Sequence, residues 1–234
     1  MLEYTEVLAK LKEVEKMKFI KTHRSGPTGV GKTLEDLLGI EENNIPGPNA
    51  HMLELKSTRK NANSMVTLLT KSPLPRSANS TLLKNYGYIP SGSDKKKLHT
   101  TVTALDFNKL GGHRGFKVNV VQDRINLIIP DNSIVCYWNE PILRVSFEKK
   151  YHNMLYVKAE NKGKGVNEEF WYNEAWLLEG FGFNNFKKLV KKDIILVDIR
   201  IGRNPDGSAH DHGTGFRTFP QNFDLCFEKR ERIL

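Results

Sequence analysis

A chain of 234 residues suffices for one large domain or two small lobes and can bury roughly 70% of its unfolded surface without a disulfide or metal staple. Lysine and arginine number 36 against 27 acidic residues, and the net charge of +9 suits a polyanionic partner whose counterions are released as its phosphates are neutralised. With only Cys136 and Cys226, no apolar run near the roughly 20 residues of a membrane span and no leader-like N-terminus, no disulfide framework, membrane helix or secretory signal is expected, and the expected address is the cytoplasm.

Val7, Leu8, Leu11, Val14 and Met17 recur at helical spacing and predict an amphipathic helix over residues 3–19. A glycine-rich loop, HRSGPTGVGKT, leads into a short helix, TLEDLLGI, that Gly39 ends. EENNIPGPN is a turn region by composition. MLELKS and MVTLLT have strand lengths, and across the basic connector TRKNANS they are expected to be neighbours. SANSTLLKNY reads as a helix, and LHTTVTAL, FKVNVVQD, INLIIP and SIVCYW as four strands whose short spacing predicts an antiparallel sheet. A helix (EPILRVSFEK), a strand (MLYVKAEN) and an aromatic-rich segment (EEFWYNEAWLLEGF) come next. FNNFKKLVKK predicts a basic helix and IILVDIRI the most buried strand, while GRNPDGSAHDHGTGFRTF reads as a loop dense in Gly, His and Arg. The order is α/β or α+β, one unit with two lobes and no repeats.

Two motifs compete for the chemistry. Gly26-Pro-Thr-Gly-Val-Gly31-Lys32-Thr33 fits the phosphate-loop pattern G-x-x-x-x-G-K-[ST] at every fixed position, and Ile194-Ile-Leu-Val-Asp198 offers a hydrophobic strand ending in an acid. On that basis Gly26–Thr33 would serve a P-loop NTPase. The context opposes it: the preceding Lys18-Phe-Ile-Lys-Thr-His-Arg24 is barely apolar, whereas a P-loop follows a buried strand.

The second motif is Glu54-Leu55-Lys56, where period-2 alternation puts carboxylate and ammonium on one strand face. Such a pair suits phosphodiester hydrolysis: the carboxylate holds Mg²⁺, and the lysine orients the attacking water and offsets transition-state charge. By itself E-x-K is also what any solvated strand face can carry. Metal chemistry wants a further carboxylate about five residues upstream, in the preceding turn; that position is Asn49, an oxygen ligand without the charge a hard cation favours. Glu35, in the upstream helix, is a second acid able to support metal or water.

These blocks carry a resemblance. Gly29-Val-Gly-Lys-Thr-Leu-Glu35-Asp-Leu-Leu, Glu42-Asn-Asn, Pro48-Asn49, Glu54-Leu-Lys56 and Thr67-Leu-Leu-Thr-Lys-Ser-Pro73, then Val197-Asp-Ile-Arg200-Ile-Gly and His210-Asp-His-Gly-Thr-Gly-Phe-Arg217, resemble the MvaI/BcnI restriction endonucleases, relatives of MutH in the PD-(D/E)XK nuclease class. The resemblance implies a restriction-endonuclease-like mixed sheet flanked by helices, with two lobes around a DNA cleft. It implies a single nuclease domain over 1–234, its catalytic lobe about 1–110 and its recognition lobe about 111–234. The implied activity is Mg²⁺-dependent type II cleavage of double-stranded DNA at a CC/GG-type site, CCWGG-like, by a monomer cutting one strand at a time. The resemblance further implies a cognate DNA methyltransferase acting on the same site, and no membrane partner is expected.

Glu35, Asn49, Glu54 and Lys56 match the implied catalytic set, with Asn49 and Glu54 as metal ligands. Arg200 and Arg217 match arginines that fork onto guanine. His210, Asp211, His212, Thr70 and Lys71 complete the implied DNA contacts, and Thr70 mildly favours an A·T centre. A zinc half-site at His210 and His212 is discounted, since no cysteine lies nearby. The family has Asp where this chain has Asn49, so the chain is expected to be inactive or impaired, by alteration or by natural weakening. A non-catalytic DNA-binding protein is the corresponding alternative.

Overall fold

The computed structural model describes residues 4–40 and 53–234. Asn49, Met52, the turn expected before Asn49 and the block Glu42–Asn49 lie outside the described residues. In chain order, α1 (Tyr4–Lys16), β1 (Ile20–Lys21), α2 (Gly29–Leu38), β2 (Leu53–Arg59) and β3 (Val66–Thr70) come first. They are followed by α3 (Ala78–Tyr86), β4 (Leu98–Val102), β5 (Lys109–Leu110), β6 (His113–Arg114), β7 (Lys117–Val120), β8 (Arg124–Ile128), β9 (Ile134–Asn139) and α4 (Glu140–Lys150). The remainder is β10 (Asn153–Lys162), β11 (Glu169–Glu179), α5 (Phe183–Lys191), β12 (Leu196–Arg203), β13 (Ala209–Asp211), β14 (Gly215–Thr218), α6 (Phe223–Cys226) and β15 (Lys229–Arg232).

The chain divides into two units, one built from residues 1–64, 148–182 and 224–234, the other from 65–147 and 183–223. The lobe boundary expected near residue 110 therefore falls inside the second unit. The physical reason is strand pairing: β2 finds its partner in β10, almost a hundred residues later, so the chain must return to the first unit to complete its sheet.

In the first unit the sheet runs β1-β11-β10-β2, with β15 also on β11. β10 and β11 are a long antiparallel hairpin, but β10 pairs β2 in parallel, with Glu54 opposite Met154 and Lys56 opposite Tyr156. One sheet face buries Leu53, Leu55, Leu155, Val157, Phe170 and Tyr172 against Val7, Leu11 and Val14 of α1 and Val30, Leu34 and Leu38 of α2. Each fully buried aliphatic side chain there contributes roughly 1.5–3 kcal/mol. Met17, expected on the apolar stripe, is exposed just beyond the end of α1.

The expected long glycine loop is shorter than its composition suggests, because α2 already begins at Gly29. A Cβ on Gly29 would lie 2.2 Å from the Arg24 carbonyl oxygen, so only glycine lets the chain fold back this tightly before the helix. Gly39, at φ 72°, ends α2 as expected, its amide returning to the Asp36 carbonyl.

In the second unit the sheet runs β13-β12-β14-β3, with β4 on the other side of β12. MLELKS and MVTLLT are thus not neighbours, as β3 pairs antiparallel with β14 while β2 stays in the other sheet. The segment expected to be a loop after Ile201 instead contributes β13 and β14, and the carboxylate of Asp211 holds the turn between them. β7, β8 and β9 form the expected antiparallel meander, whereas β4 has left it for β12. Trp138, Phe147, Phe183, Phe186 and Phe216 form one aromatic cluster, mostly edge-to-face or tilted with Phe183 stacked on Phe186, and Trp138 and Phe216 lie at 5.5 Å. Phe147 and Phe183 flank the points where the chain passes between the units.

Candidate functional site

Two clusters merit description, one in each unit. On β2, alternation sends Leu53 and Leu55 into the helix-facing core and Glu54 and Lys56 to the opposite face. Glu54 is buried, with 2% of its side chain exposed, and its Oε1 lies 2.7 Å from Lys56 Nζ. A second ammonium, Lys150 Nζ, lies 2.9 Å from the same oxygen. Lys150 is the last residue of α4, and burial, aided by the nearby Lys56, pushes its pKa down while Glu54 pulls it up. Tyr151 is buried beside the cluster, where burial and then the Glu54 charge push its hydroxyl up.

A buried carboxylate that draws two ammoniums onto one oxygen is a place built for positive charge, and its hard oxygens are the donors that a small divalent ion takes. Glu54 thus supplies one ligand of the kind a divalent metal ion takes. Among the described residues no group of three His, Cys, Asp or Glu side chains could hold an ion by itself. Asn49, the other ligand predicted from the sequence, lies outside the described residues.

Glu35 sits on α2 and lines a pocket with Arg24, Thr28, Gly31, Lys32 and Ser57, which neither Glu54 nor Lys56 lines. The loop ahead of α2 is arranged unlike a nucleotide cradle. Arg59 donates to the carbonyls of Gly26 and Pro27 and forks onto Glu168 at 2.6 and 2.7 Å. Lys32 pairs with Asp36 at 2.7 Å, one turn on, and His23 approaches the same carboxyl at 2.9 Å. Hydrogen bonds from Lys32 and His23 hold the Asp36 carboxyl below the usual carboxylate range. The preceding strand, β1, has two residues and pairs antiparallel, so the buried parallel strand of a P-loop fold is missing from its place.

In the second unit, alternation along β12 sends Val197, Ile199 and Ile201 into the core and Asp198, Arg200 and Gly202 to the other face. Arg217 arrives on that face from β14, and His99 and Thr101 from β4, where His99 stands directly opposite Arg200. Asp198, the acid that ends the hydrophobic strand in the phosphate-loop reading, instead serves both arginines. Its Oδ2 lies 2.7 Å from Arg200 Nε and 2.7 Å from Arg217 Nε, and Thr101 donates to Oδ1 at 3.1 Å. The Arg217 Nε approach is too poorly aligned for a hydrogen bond, so charge attraction holds it.

The two guanidiniums differ in what they have left to offer. Arg217 is 11% exposed, donates to Thr67 Oγ1 and the Gly213 carbonyl, and has its pKa pushed down by burial and by Arg200. Arg200 is 44% exposed, and beyond Asp198 its side chain extends toward solvent.

The histidines form a small group on the same face. His210 opposes Gly202, and His212 packs its ring 4.5 Å from that of His210 and 6.3 Å from that of His99. A Cβ on Gly202 would lie 2.5 Å from His212 Nε2, so glycine makes the room this ring occupies. Burial, then Lys97, Arg200 and His212, push the pKa of His99 down.

Asp211 faces inward. Its Oδ2 accepts from Ser72 at 2.5 Å and Asn79 at 3.1 Å, and its Oδ1 from the amides of Gly213 and Thr214. Thr70 pairs with Gly215 at the exposed end of β3, and Lys71 donates to Ser146 Oγ at 3.2 Å.

The structure thus brings Glu54 to Lys56 in one sheet, and Arg200, His210, His212 and Arg217 onto one face of the other. Sequence reasoning missed Lys150, Asp198 in this role and His99. Lys150 belongs to no motif; the alternation of β4 against β12 could have revealed His99 only once their pairing was known.

The sequence matches the MvaI/BcnI restriction endonuclease family over residues 8–227. No curated protein matches the chain. Among solved structures the chain is similar to restriction endonuclease MvaI in complex with its cognate DNA substrate, at 30% identity and a TM-score of 0.87 over 100% of both chains. It is also similar to restriction endonuclease MvaI in the absence of DNA, at 29% identity and a TM-score of 0.58, over 100% of this chain and 99% of that one.

Proposed function

The chain belongs to the MvaI/BcnI restriction endonuclease family and is a type II restriction endonuclease, a site-specific nuclease; from that premise we propose that it hydrolyses phosphodiester bonds in double-stranded DNA at a short CC/GG-type site, CCWGG-like, with Mg²⁺. It acts as a monomer that cuts one strand at a time in the cytoplasm, beside a methyltransferase that protects the same site. The observation that carries this proposal is the buried Glu54 carboxylate with Lys56 at 2.7 Å on one strand face.

Glu54 and position 49 would hold the ion, which when bound acidifies water and offsets charge on the phosphate. Lys56 keeps its ammonium beside Glu54, where it can orient the attacking water and stabilise charge that grows in the transition state. Arg200, fixed at Nε by Asp198, offers its two terminal nitrogens to the O6 and N7 of a guanine. Arg217 reads a second guanine only through the face it leaves exposed, and its main contacts hold the sheet. His210 and His212 border Arg200 and supply further polar contacts to base or phosphate.

Asn49 supplies an amide oxygen where the charge of an aspartate is wanted, so this chain is proposed to bind its site and cleave it feebly or not at all. Plasmid cleavage mapping with the Asn49→Asp protein tests this. The expected result is Mg²⁺-dependent scission at one short site, while the unaltered chain shifts the same duplex in a gel. Tight, site-selective binding with no scission by Asn49→Asp would make the protein a DNA binder without catalysis.

A further inference from the structure

Glu54 carries one negative charge and two ammoniums, Lys56 at 2.7 Å and Lys150 at 2.9 Å, both on Oε1. Among the described residues the cluster is thus over-neutralised, and a divalent ion added to it meets net positive charge in a poorly solvated place, where like charges repel far more than in water. One ammonium has to give way. Lys56, two residues from Glu54 on the same strand face, is the ammonium that the proposed hydrolysis keeps beside the attacking water. Lys150 comes from the last turn of α4, outside every motif of the site, on a flexible four-carbon stem that can swing away without disturbing a strand.

We propose that Lys150 is a tethered competitor for the divalent ion at Glu54, a positioning residue that occupies the metal's oxygen until another anion takes its ammonium. The inference rests on Glu54 being a metal ligand, as proposed above. An entering DNA phosphate is such an anion: it offers the displaced ammonium a new acceptor and brings the negative charge that the cluster needs to accommodate the ion. Metal binding is thereby tied to the presence of the nucleic acid, and the protein without DNA holds the ion weakly. Lys150 also keeps the metal-free fold intact, because the buried carboxylate would otherwise have one cation less.

Titration calorimetry with Mn²⁺, in the full chain with Asn49 unchanged and without DNA, tests the competition directly. Lys150→Met and Lys150→Gln are expected to bind Mn²⁺ roughly tenfold more tightly than the Lys150 protein, and Lys150→Arg, which keeps a cation, to bind it as the Lys150 protein does. In EDTA the Met and Gln proteins should melt at lower temperature, and saturating Mn²⁺ should close most of that gap. Should Lys150→Met not fold, Lys150→Gln, with its amide able to donate to Glu54, carries the comparison. Equal or weaker Mn²⁺ affinity in the neutral variants would overturn the competition. A Glu54→Gln protein separates the two proposals: if it binds Mn²⁺ unchanged, Glu54 is no metal ligand and the site assignment itself fails. If its affinity drops while Lys150 variants are indifferent, only the role of Lys150 is lost.

Discussion

Glu54 in one sheet and Asp198 in the other are near-twins in composition: each is a buried carboxylate on an alternating strand, flanked by two basic side chains. What differs is the kind of cation. Glu54 is met by two lysines, point charges on flexible stems that share one oxygen, and the one from α4 is proposed to give way to another cation. Asp198 is met by two arginines, rigid planar forks whose remaining donors keep fixed directions. Exchangeable charge suits metal-assisted hydrolysis, and fixed direction suits the proposed recognition of base edges. One electrostatic motif therefore serves two purposes according to which basic residue completes it.

The sharpest way to break this contrast is at Lys56. In the Asn49→Asp background, Lys56→Ala is expected to slow cleavage roughly 10²–10³-fold, as the loss of one transition-state donor does, with DNA affinity little changed. Single-turnover rates beside gel-shift affinities check it, and a parallel loss of both would place Lys56 in binding rather than in chemistry.

The arginines offer the next test, since they should split. Arg217→Ala is expected to cost about 2 kcal/mol of folding stability, because it unties Thr67 and the Gly213 carbonyl and leaves Asp198 with one cation. Arg200→Ala also leaves Asp198 with one cation but unties nothing else, so it should lower the urea midpoint less than Arg217→Ala does, and cost about 1–3 kcal/mol in discrimination at a single guanine. Affinities measured on duplexes substituted one base pair at a time, alongside urea melts, decide between them. Uniform weakening on every sequence would make Arg200 a phosphate contact.

The smallest effect is expected at Asp211. Burial would raise its pKa, but hydrogen bonds from Ser72, Thr214, Asn79 and Gly213 outweigh burial and hold it below the usual carboxylate range. A carboxyl lowered on folding stabilises the native state above its unfolded value, near 3.9, and that stability is lost as pH falls through the folded value. Asp211→Asn should therefore cost about 1–2 kcal/mol at pH 7, and its deficit should shrink below about pH 4. A deficit independent of pH in thermal melts would mean that the charge of Asp211 contributes nothing.

Much of this was legible without coordinates, and for definable reasons. The Glu54–Lys56 pair follows from period-2 alternation within one strand, and most element positions follow from local periodicity, including α1, α3, α5 and the buried β12. The family resemblance rested on short blocks whose spacing survives in a linear reading. The glycine loop misled in its length, since a pattern of Gly, Lys and Thr says nothing about whether Lys32 faces a phosphate or Asp36. Asp198 misled in its role, because its partners Arg217 and Thr101 stand 19 and 97 positions away in the chain.

Local chemistry, then, was determined by the sequence itself: which residues alternate onto a strand face, where Gly39 stops a helix, how much positive charge the surface carries. Partnership was decided only in three dimensions. β2 left β3 for β10, β4 left the meander for β12, and Lys150 reached Glu54 from the end of a helix whose own sequence is unremarkable. Pairings between distant segments depend on which apolar faces bury together, and that choice minimises exposed surface over the whole chain rather than within any window of it.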